Sequence, residues 1–398
     1  MDLINYSTQL MTNIFIRYTL LVLLAFSSLN LIAAEKSKKP KAPTDFEKAL
    51  SAYQKEDFAT ALMLWFPLAE AGDPKAQYRL GKMYLDQKDQ RKDLSEAASW
   101  ITKSAKQNHI KAQVLLGQMY LKGVGVKRSF KQSANWLLKA ARQNDAEAQY
   151  IVAKLYYFGD GVQKSAGKAA YWYTKAAKLK HTEAQNKLAQ MYLTGDGIKQ
   201  KPKKAKKWFE AAAKAGNANA QINMAKLYLN SDAVKKDKTK AFTWYKKAAE
   251  QGNAEAQNQL GEMLEHAIGT KKDLKQAIKW YQKAAKQNYI ASHYNMGRAY
   301  VHGYGVKKDI KKGVASFHKA AEKGHGKAQM DLGVAYYTGQ GVPPDSAIAY
   351  AWFYVAAASN VKDARKTKNA LYKKLATEDK KKAVTLATEY KRKYFSRR

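Results

Sequence analysis

The sequence predicts an all-α solenoid built from tandem helix-turn-helix repeats, and three observations carry that prediction. The dipeptide Ala-Gln recurs at intervals of 36 residues, with Ser292-His293 filling one position of the series. Tryptophans recur at the same interval and form a second series, which we call the tryptophan ladder. Only 7 of the 398 residues are Pro and 23 are Gly, which favours helices over turn-rich β-structure. The Ala-Gln pairs begin at Ala76, Ala112, Ala148, Ala184, Ala220, Ala256 and Ala328.

Each repeat has the pattern of two helices joined by a glycine turn. Residues 112–121 place apolar side chains at the spacing of one helical face. Gly123 and Gly125 then supply two flexible positions that end this helix. The helical period resumes over residues 129–143. A dinucleotide-binding loop would need a preceding strand and a third glycine, so the recurring Gly-x-Gly is interpreted as a turn.

Small side chains near the tryptophans indicate close contacts between helices. Alanine pairs such as Ala140-Ala141 and Ala212-Ala213 follow the tryptophans by four and five residues. We therefore expect the tryptophans to form the structural core. Emptying one position by Trp208→Ala should then lower the free energy of unfolding by about 3–5 kcal/mol. The predicted core residues are Trp100, Trp136, Trp172, Trp208, Trp244, Trp280 and Trp352.

Several motifs within the repeats resemble those of a known family. Leu116-Gly117 followed by Tyr120, and Ala205 followed by Phe209, are similar to the tetratricopeptide pattern. The 36-residue period, the Gly-x-Gly-Val loop and the Trp-Tyr-x-Lys-Ala-Ala string from Trp244 resemble the Sel-one-like repeat (SLR) family more closely. This resemblance implies a right-handed α/α superhelix related to tetratricopeptide repeats, in an exported bacterial protein.

The repeat register divides the chain into five segments. Eight 36-residue repeats are expected over residues 75–362, after a degenerate N-terminal capping repeat at residues 45–74. Residues 363–398 are expected to form basic C-terminal capping helices, because a terminal repeat must cover its apolar face. Residues 35–44 have the composition of a basic linker, and residues 1–34 that of a signal peptide or an N-terminal anchor.

The first 34 residues predict export. An apolar run from Tyr18 to Ala34 follows Arg17 and ends in two alanines before a charged stretch. This arrangement is typical of a secretory signal peptide cleaved near Ala34, with Met11 as an alternative start. The other interpretation is an uncleaved inner-membrane anchor that faces the periplasm. Both interpretations place the rest of the chain in the periplasm or outside the cell.

Neither catalytic residues nor cofactor or metal sites are predicted. The absence of Cys excludes thiolate zinc sites and cysteine nucleophiles. His109, His181 and His325 share one repeat position, where a polar side chain can cap the next helix. The alternative for other histidines is a metal pair of His266 and His302, although no third ligand recurs with them. β-Lactam binding or hydrolysis, known from cysteine-rich relatives, is the remaining enzymatic alternative.

Two positions in each repeat are predicted to contact a partner. In tetratricopeptide relatives, ligand residues lie one helical turn before and after the Leu-Gly pair, and the resemblance implies that these positions line the concave face here. Tyr in the first position and basic or amide side chains in the second suit an extended peptide or an anionic chain. The alternative is a solvated face without a ligand. The predicted contact residues are Tyr78, Lys82, Tyr150, Lys154, Asn186, Gln190, Lys226, Tyr294 and Arg298.

The formal net charge of +38 predicts a surface that attracts anions. Lysines recur in or just after the turn inside the repeats, and so along one edge. Since export argues against nucleic acid, we expect an anionic lipid, an envelope polysaccharide or an acidic protein as the partner of this edge. The lysine clusters are Lys201 to Lys207, Lys235-Lys236, Lys271-Lys272, Lys307-Lys308 and Lys311-Lys312.

Two functional hypotheses follow from these observations. The leading hypothesis is a non-enzymatic scaffold that mediates protein–protein interactions in the bacterial periplasm or cell envelope. The alternative is a protein that binds anionic envelope polymers or lipids through its basic edge. The two differ in the surface that carries the contact, which is the concave face in the first case and the edge in the second.

Overall fold

A computed structural model describes residues 43–86, 93–231 and 234–395. Within these ranges the chain forms 20 helices and no strand, so the predicted all-α repeat solenoid is confirmed. The predicted signal peptide or anchor at residues 1–34 lies outside the described residues, as does most of the linker. Among the helices described, none combines the length and apolar character needed to cross a membrane.

The helices follow one another in pairs along the chain. Their bounds are α1 Asp45–Gln54, α2 Phe58–Glu70, α3 Pro74–Leu85, α4 Leu94–Lys106, α5 Ile110–Lys122, α6 Phe130–Arg142, α7 Ala146–Phe158, α8 Ala166–Lys178, α9 Thr182–Thr194, α10 Pro202–Lys214, α11 Ala218–Asn230, α12 Lys238–Glu250, α13 Ala254–Glu265, α14 Leu274–Lys286, α15 Ile290–His302, α16 Ile310–Ala321, α17 Gly326–Thr338, α18 Ser346–Ala358, α19 Ala364–Lys374 and α20 Thr377–Tyr394.

Eight of these pairs, from α3–α4 to α17–α18, are the 36-residue repeats. We name the first helix of each repeat the A helix and the second the B helix, so that α7 and α8 are helices A and B of repeat 3. The chain divides into two compact parts, one ending at Arg128 and one beginning at Ser129. Within each part, neighbouring helices pack against each other in chain order as far as α19, whereas α20 packs against α18.

The Ala-Gln motif joins the A helix to the B helix before it in seven of the eight repeats, all except repeat 7, which has Ser292-His293. Ala148 is fully buried, and the Gln149 side chain Nε2 donates a hydrogen bond of 3.0 Å to the Ala141 carbonyl oxygen at the end of α6. This bond satisfies a carbonyl group that has no partner inside its own helix. The same bond is made by Gln77, Gln113, Gln185, Gln221, Gln257 and Gln329.

The Gly-x-Gly motif is a turn, as predicted, and its two glycines act differently. Gly159 ends α7 in the left-handed conformation, with φ of 86°. Gly161 also has a positive φ of 69°, and a Cβ atom there would lie only 2.2 Å from the Phe130 carbonyl oxygen. The second glycine therefore lets the turn of repeat 3 approach the start of the B helix of repeat 2, which no side chain would permit.

Only the two ends of the tryptophan ladder belong to the buried core, so the prediction requires correction for the tryptophans between them. Trp100 and Trp352 are buried, but the five tryptophans between them, Trp136, Trp172, Trp208, Trp244 and Trp280, are only half-buried. The residue after each of these five is buried instead, as Leu137, Tyr173, Phe209, Tyr245 and Tyr281.

Helical geometry explains the error. Phe209 lies on one stripe with the buried Ala205, Ala212 and Ala213, whereas Trp208 is turned about 100° away from Phe209. Trp208 instead packs against two apolar clusters, one formed by repeats 3 and 4 and one formed by repeats 4 and 5. On the outer side of four ladder tryptophans a lysine three residues later covers the ring, with Nζ 3.8–4.8 Å from the centroid.

The first and last described helices cover the ends of the array. In the N-terminal part, α1 and α2 pack their alanines and the fully buried Trp65 against α3. At the other end, α20 packs Ala383 and Ala387 against α18. Tyr390 and Tyr394 of α20 place their rings 4.8 and 5.3 Å from the Trp352 ring, which explains why this tryptophan is buried.

Candidate functional site

Three of the predicted contact residues meet in one open cleft of the C-terminal part. The cleft lies between α7, α8 and α9 of repeats 3 and 4 and has a volume of about 710 Å³. We name it the repeat 3–4 cleft. It is lined by Tyr150, Lys154, Tyr157, Phe158, Tyr173, Lys187, Gln190, Met191, Thr194 and Asp196.

Aromatic rings form one wall of the repeat 3–4 cleft. Tyr173 is buried at its base, with its ring centroid 5.9 Å from that of Tyr150. Phe158 stands at the rim with 61% of its surface exposed and its ring edge-on to Tyr157 at 5.2 Å. An exposed phenylalanine at a helix end loses water-accessible apolar surface when a ligand covers it, which favours binding.

Two lysines give the cleft its charge. Lys154 of α7 lies with its Nζ 5.7 Å from the Tyr150 ring centroid, and Lys187 of α9 also lines the cleft. In the described ranges neither lysine forms an ion pair. Asp196 accepts a hydrogen bond of 2.6 Å from the Tyr157 hydroxyl, and this bond raises the pKa of Tyr157. The carboxylate in the cleft is thus already engaged by the protein.

The tyrosines of the first predicted position are partly structural. The Tyr150 ring stacks on His181 at 4.6 Å, and burial raises the pKa of Tyr150. His181 caps α9, because its Nδ1 accepts a hydrogen bond of 3.2 Å from the Ala184 amide. Its Nε2 lies 3.1 Å from Glu147, and this bond lowers the pKa of that carboxyl group.

The predicted histidine caps are confirmed in all three repeats concerned. His109 and His325 accept from the amides three residues later, at 3.3 and 3.2 Å. The rings of Tyr78 and Tyr294 lie 5.0 and 4.5 Å from these histidines. Tyr78, Tyr150 and Tyr294 therefore hold the caps in place and present only part of their surface to solvent.

The other predicted contact residues have different environments. Asn186 is only 5% exposed, and its side-chain oxygen accepts from Asn223 of the next repeat at 2.9 Å, so its assignment as a contact residue is wrong. Lys226 is exposed but forms an ion pair of 2.7 Å with Glu255. Lys82 is exposed and belongs to the N-terminal part.

A second cleft occupies the same repeat positions four repeats later. It lies between α15, α16 and α17, has a volume of about 330 Å³ and contains Tyr294 and Arg298 in the places of Tyr150 and Lys154. Arg298 bonds to Glu265 at 3.2 Å, and Asp331 takes the place of Lys187. Burial raises the pKa of Asp331 and raises that of Tyr294 to about 12. We name this the repeat 7–8 cleft.

Sequence reasoning missed Tyr157, Phe158, Lys187 and Asp196. A signal for Tyr157 was present, because four other repeats have leucine at its position. Lys187 and Asp196 belong to the following repeat, and their approach to Lys154 depends on the packing of α9 against α7 and α8. None of the four residues occupies one of the two repeat positions that the resemblance selects.

Histidines and carboxylates do not gather into a metal site in the described part of the chain, where no group of three or more potential ligands is close enough to hold an ion. His302 stacks on Tyr304, and His266 lies 3.8 Å from Glu265. The fold and its open clefts define a tandem helical-repeat protein.

Comparison with known families identifies the repeats. Eight consecutive segments match the Sel1 repeat, namely residues 74–109, 110–145, 146–181, 182–217, 218–253, 254–289, 290–325 and 326–361. The chain belongs to the Sel1 repeat family. The matched repeats begin one residue before those predicted from the sequence. No curated protein matches the chain significantly.

Two solved structures support this assignment. A protective antigen of uropathogenic Escherichia coli displaying an SLR fold is 32% identical, with a TM-score of 0.79 and coverage of 88% of this chain and 76% of the antigen. A Sel1 repeat protein from Oxalobacter formigenes is 28% identical, with a TM-score of 0.63 and coverage of 84% and 95%. Sel1 repeat proteins are generally non-catalytic scaffolds that bind protein partners.

Proposed function

We propose that this protein is an exported scaffold that holds a protein partner against its A helices at the bacterial cell envelope, with the repeat 3–4 cleft as the principal contact. The proposal rests on one observation. Three predicted contact residues, Tyr150, Lys154 and Gln190, line the same open aromatic cleft. The apolar run of residues 18–34 supports export.

Photo-cross-linking in intact cells tests both parts of this proposal. A photoreactive phenylalanine analogue at Phe158 should form a discrete adduct with an envelope protein. Tyr171 is the matched control, because it is 55% exposed, aromatic and on the B helix of the same repeat. The adduct should be recovered from the periplasmic or membrane fraction, and its N-terminal sequence should begin near Glu35 if the signal peptide is cleaved.

The results of this experiment separate the alternatives. An intact N-terminus in the membrane fraction would favour the anchored form. Equal cross-linking from Phe158 and Tyr171, or none from Phe158, would count against the cleft as the contact site. Recovery of the protein in the cytoplasm would contradict export.

A second candidate function is the binding of anionic envelope polymers along the lysine edge. It is favoured by the exposure of Lys235, Lys271, Lys272, Lys307 and Lys308, which lie in the turns between A and B helices. Such binding would be electrostatic and would weaken steeply with added salt. It would not depend on the aromatic residues of the cleft.

A further inference from the structure

We infer that the repeat 3–4 cleft selects an acidic peptide segment that carries one aromatic or large aliphatic anchor. This inference rests on the proposed function, since it specifies the chemistry of the partner at the same site. It follows from three properties of the cleft, which are its apolar wall, its charge and its contrast with the repeat 7–8 cleft.

The apolar wall calls for an anchor side chain. Phe158 is the most exposed aromatic residue of the cleft, at 61%, and Tyr157 and the buried Tyr173 extend the apolar surface inward. A volume of about 710 Å³ accommodates a large side chain together with the backbone that carries it. Binding sites of this kind gain most of their affinity from one or two buried anchors.

The positive charge of the cleft favours a peptide with acidic residues beside its anchor residue. Lys154 and Lys187 form no ion pairs within the part of the chain that the structure describes. Three carboxylates near these lysines already have partners: Asp196 accepts from the Tyr157 hydroxyl at 2.6 Å, Glu147 lies 3.1 Å from His181, and Glu183 accepts from the Thr182 hydroxyl at 3.0 Å. Two lysines without ion pairs, one from α7 and one from α9, attract a carboxylate-bearing segment to this open cleft and repel a basic one.

The repeat 7–8 cleft lacks the lysine pair of the repeat 3–4 cleft. At the equivalent position Arg298 is already bonded to Glu265 at 3.2 Å, and Asp331 replaces Lys187. Val334 replaces Gln190, and the volume falls to about 330 Å³. The same fold thus presents a cationic cleft at one place and a smaller cleft with an acidic group at the other, so the repeat architecture does not by itself dictate the lysines.

Defined peptides test the inference with the full chain. The probe is a fluorescein-labelled peptide of about 12 residues in which Asp and Glu surround a single Phe. One control peptide has Ala in place of the Phe, and a second has Lys in place of every acidic residue. We expect the probe to bind, the Ala peptide to bind about tenfold more weakly, and the Lys peptide not to bind.

Matched variants assign the binding to the cleft. Phe158→Ala should weaken binding of the probe about tenfold, and Lys154→Gln with Lys187→Gln should weaken it at least as much and reduce its salt dependence. The control is Lys164→Gln with Lys199→Gln, which removes the same charge from the exposed turns of the same repeats. This control should retain the affinity of the unmodified chain, and circular dichroism should show all variants folded.

Several outcomes would overturn the inference. Equal losses from the cleft pair and the turn pair would assign the binding to the lysine edge. Tighter binding of the Lys peptide would reverse the inferred charge preference. If no peptide binds while Phe158 still cross-links to a partner in cells, the acidic occupant is wrong but the proposed function stands. Absence of that cross-link would instead remove the proposed function itself.

Discussion

Replacing Phe209 by alanine is expected to lower the free energy of unfolding by about 3–5 kcal/mol, because it empties a fully enclosed site. Phe209 is 1% exposed and packs with Ala205, Ala212 and Ala220 in the cluster that joins repeats 4 and 5. Chemical denaturation followed by far-ultraviolet circular dichroism measures the loss, which should concentrate in these repeats because each repeat contacts only its neighbours.

Trp208→Ala is the matched control for this prediction. Trp208 is larger than Phe209 but only half-buried, so its removal should cost about half as much or less. If Trp208→Ala proves the more damaging of the two, the tryptophan ladder is the core after all and the burial described above does not govern stability.

The second large effect is expected from Gly161→Ala, with a loss of about 2–4 kcal/mol. The positive φ of 69° strains any L side chain, and the added methyl group would lie 2.2 Å from the Phe130 carbonyl oxygen. Because that carbonyl belongs to the preceding B helix, the substitution should separate the turn from its neighbour. Thermal unfolding and amide hydrogen exchange around residues 130 and 161 would report this loss.

Gly216→Ala separates backbone strain from steric clash. Gly216 also has a positive φ, of 92°, but a Cβ atom there would meet nothing within 4 Å. Its substitution should therefore cost only the backbone strain, about 1–2 kcal/mol. Similar losses of stability at both positions would mean that the predicted clash with the Phe130 carbonyl oxygen adds nothing to the cost of the Gly161→Ala substitution.

The sequence period was sufficient to predict the helix pairs, the glycine turns and the histidine caps, because each depends on residues that are close together in the chain. The core residue was harder to predict. Trp208 and Phe209 are adjacent, both are bulky, and the period is the same for either, so only the helical stripe through Ala205 and Ala213 distinguishes them. The larger hydrophobic area of tryptophan favoured Trp208 as the core residue, whereas the helical stripe places Phe209 in the core.

The candidate site was predicted in part for a similar reason. Tyr150, Lys154 and Gln190 were found from their positions within the repeat, and they do line the cleft. The position of Asn186 was also regular, but its partner Asn223 in the next repeat buries it. Lys187 reaches the same cleft from the A helix of the next repeat. Contacts between consecutive repeats thus decide which of the fixed repeat positions stay exposed to solvent. The sequence of a single repeat does not reveal those contacts.

The central claim is that the partner binds at the repeat 3–4 cleft, and the affinity of the purified cross-linked partner tests it most directly. The cleft variant combines Phe158→Ala with Lys154→Gln. The control combines Tyr171→Ala with Lys175→Gln, an aromatic–lysine pair exposed on the B helix of the same repeat. We predict an affinity at least about tenfold weaker for the cleft variant and unchanged for the control. Equal affinity for the two variants, or a loss confined to the control, would contradict the claim.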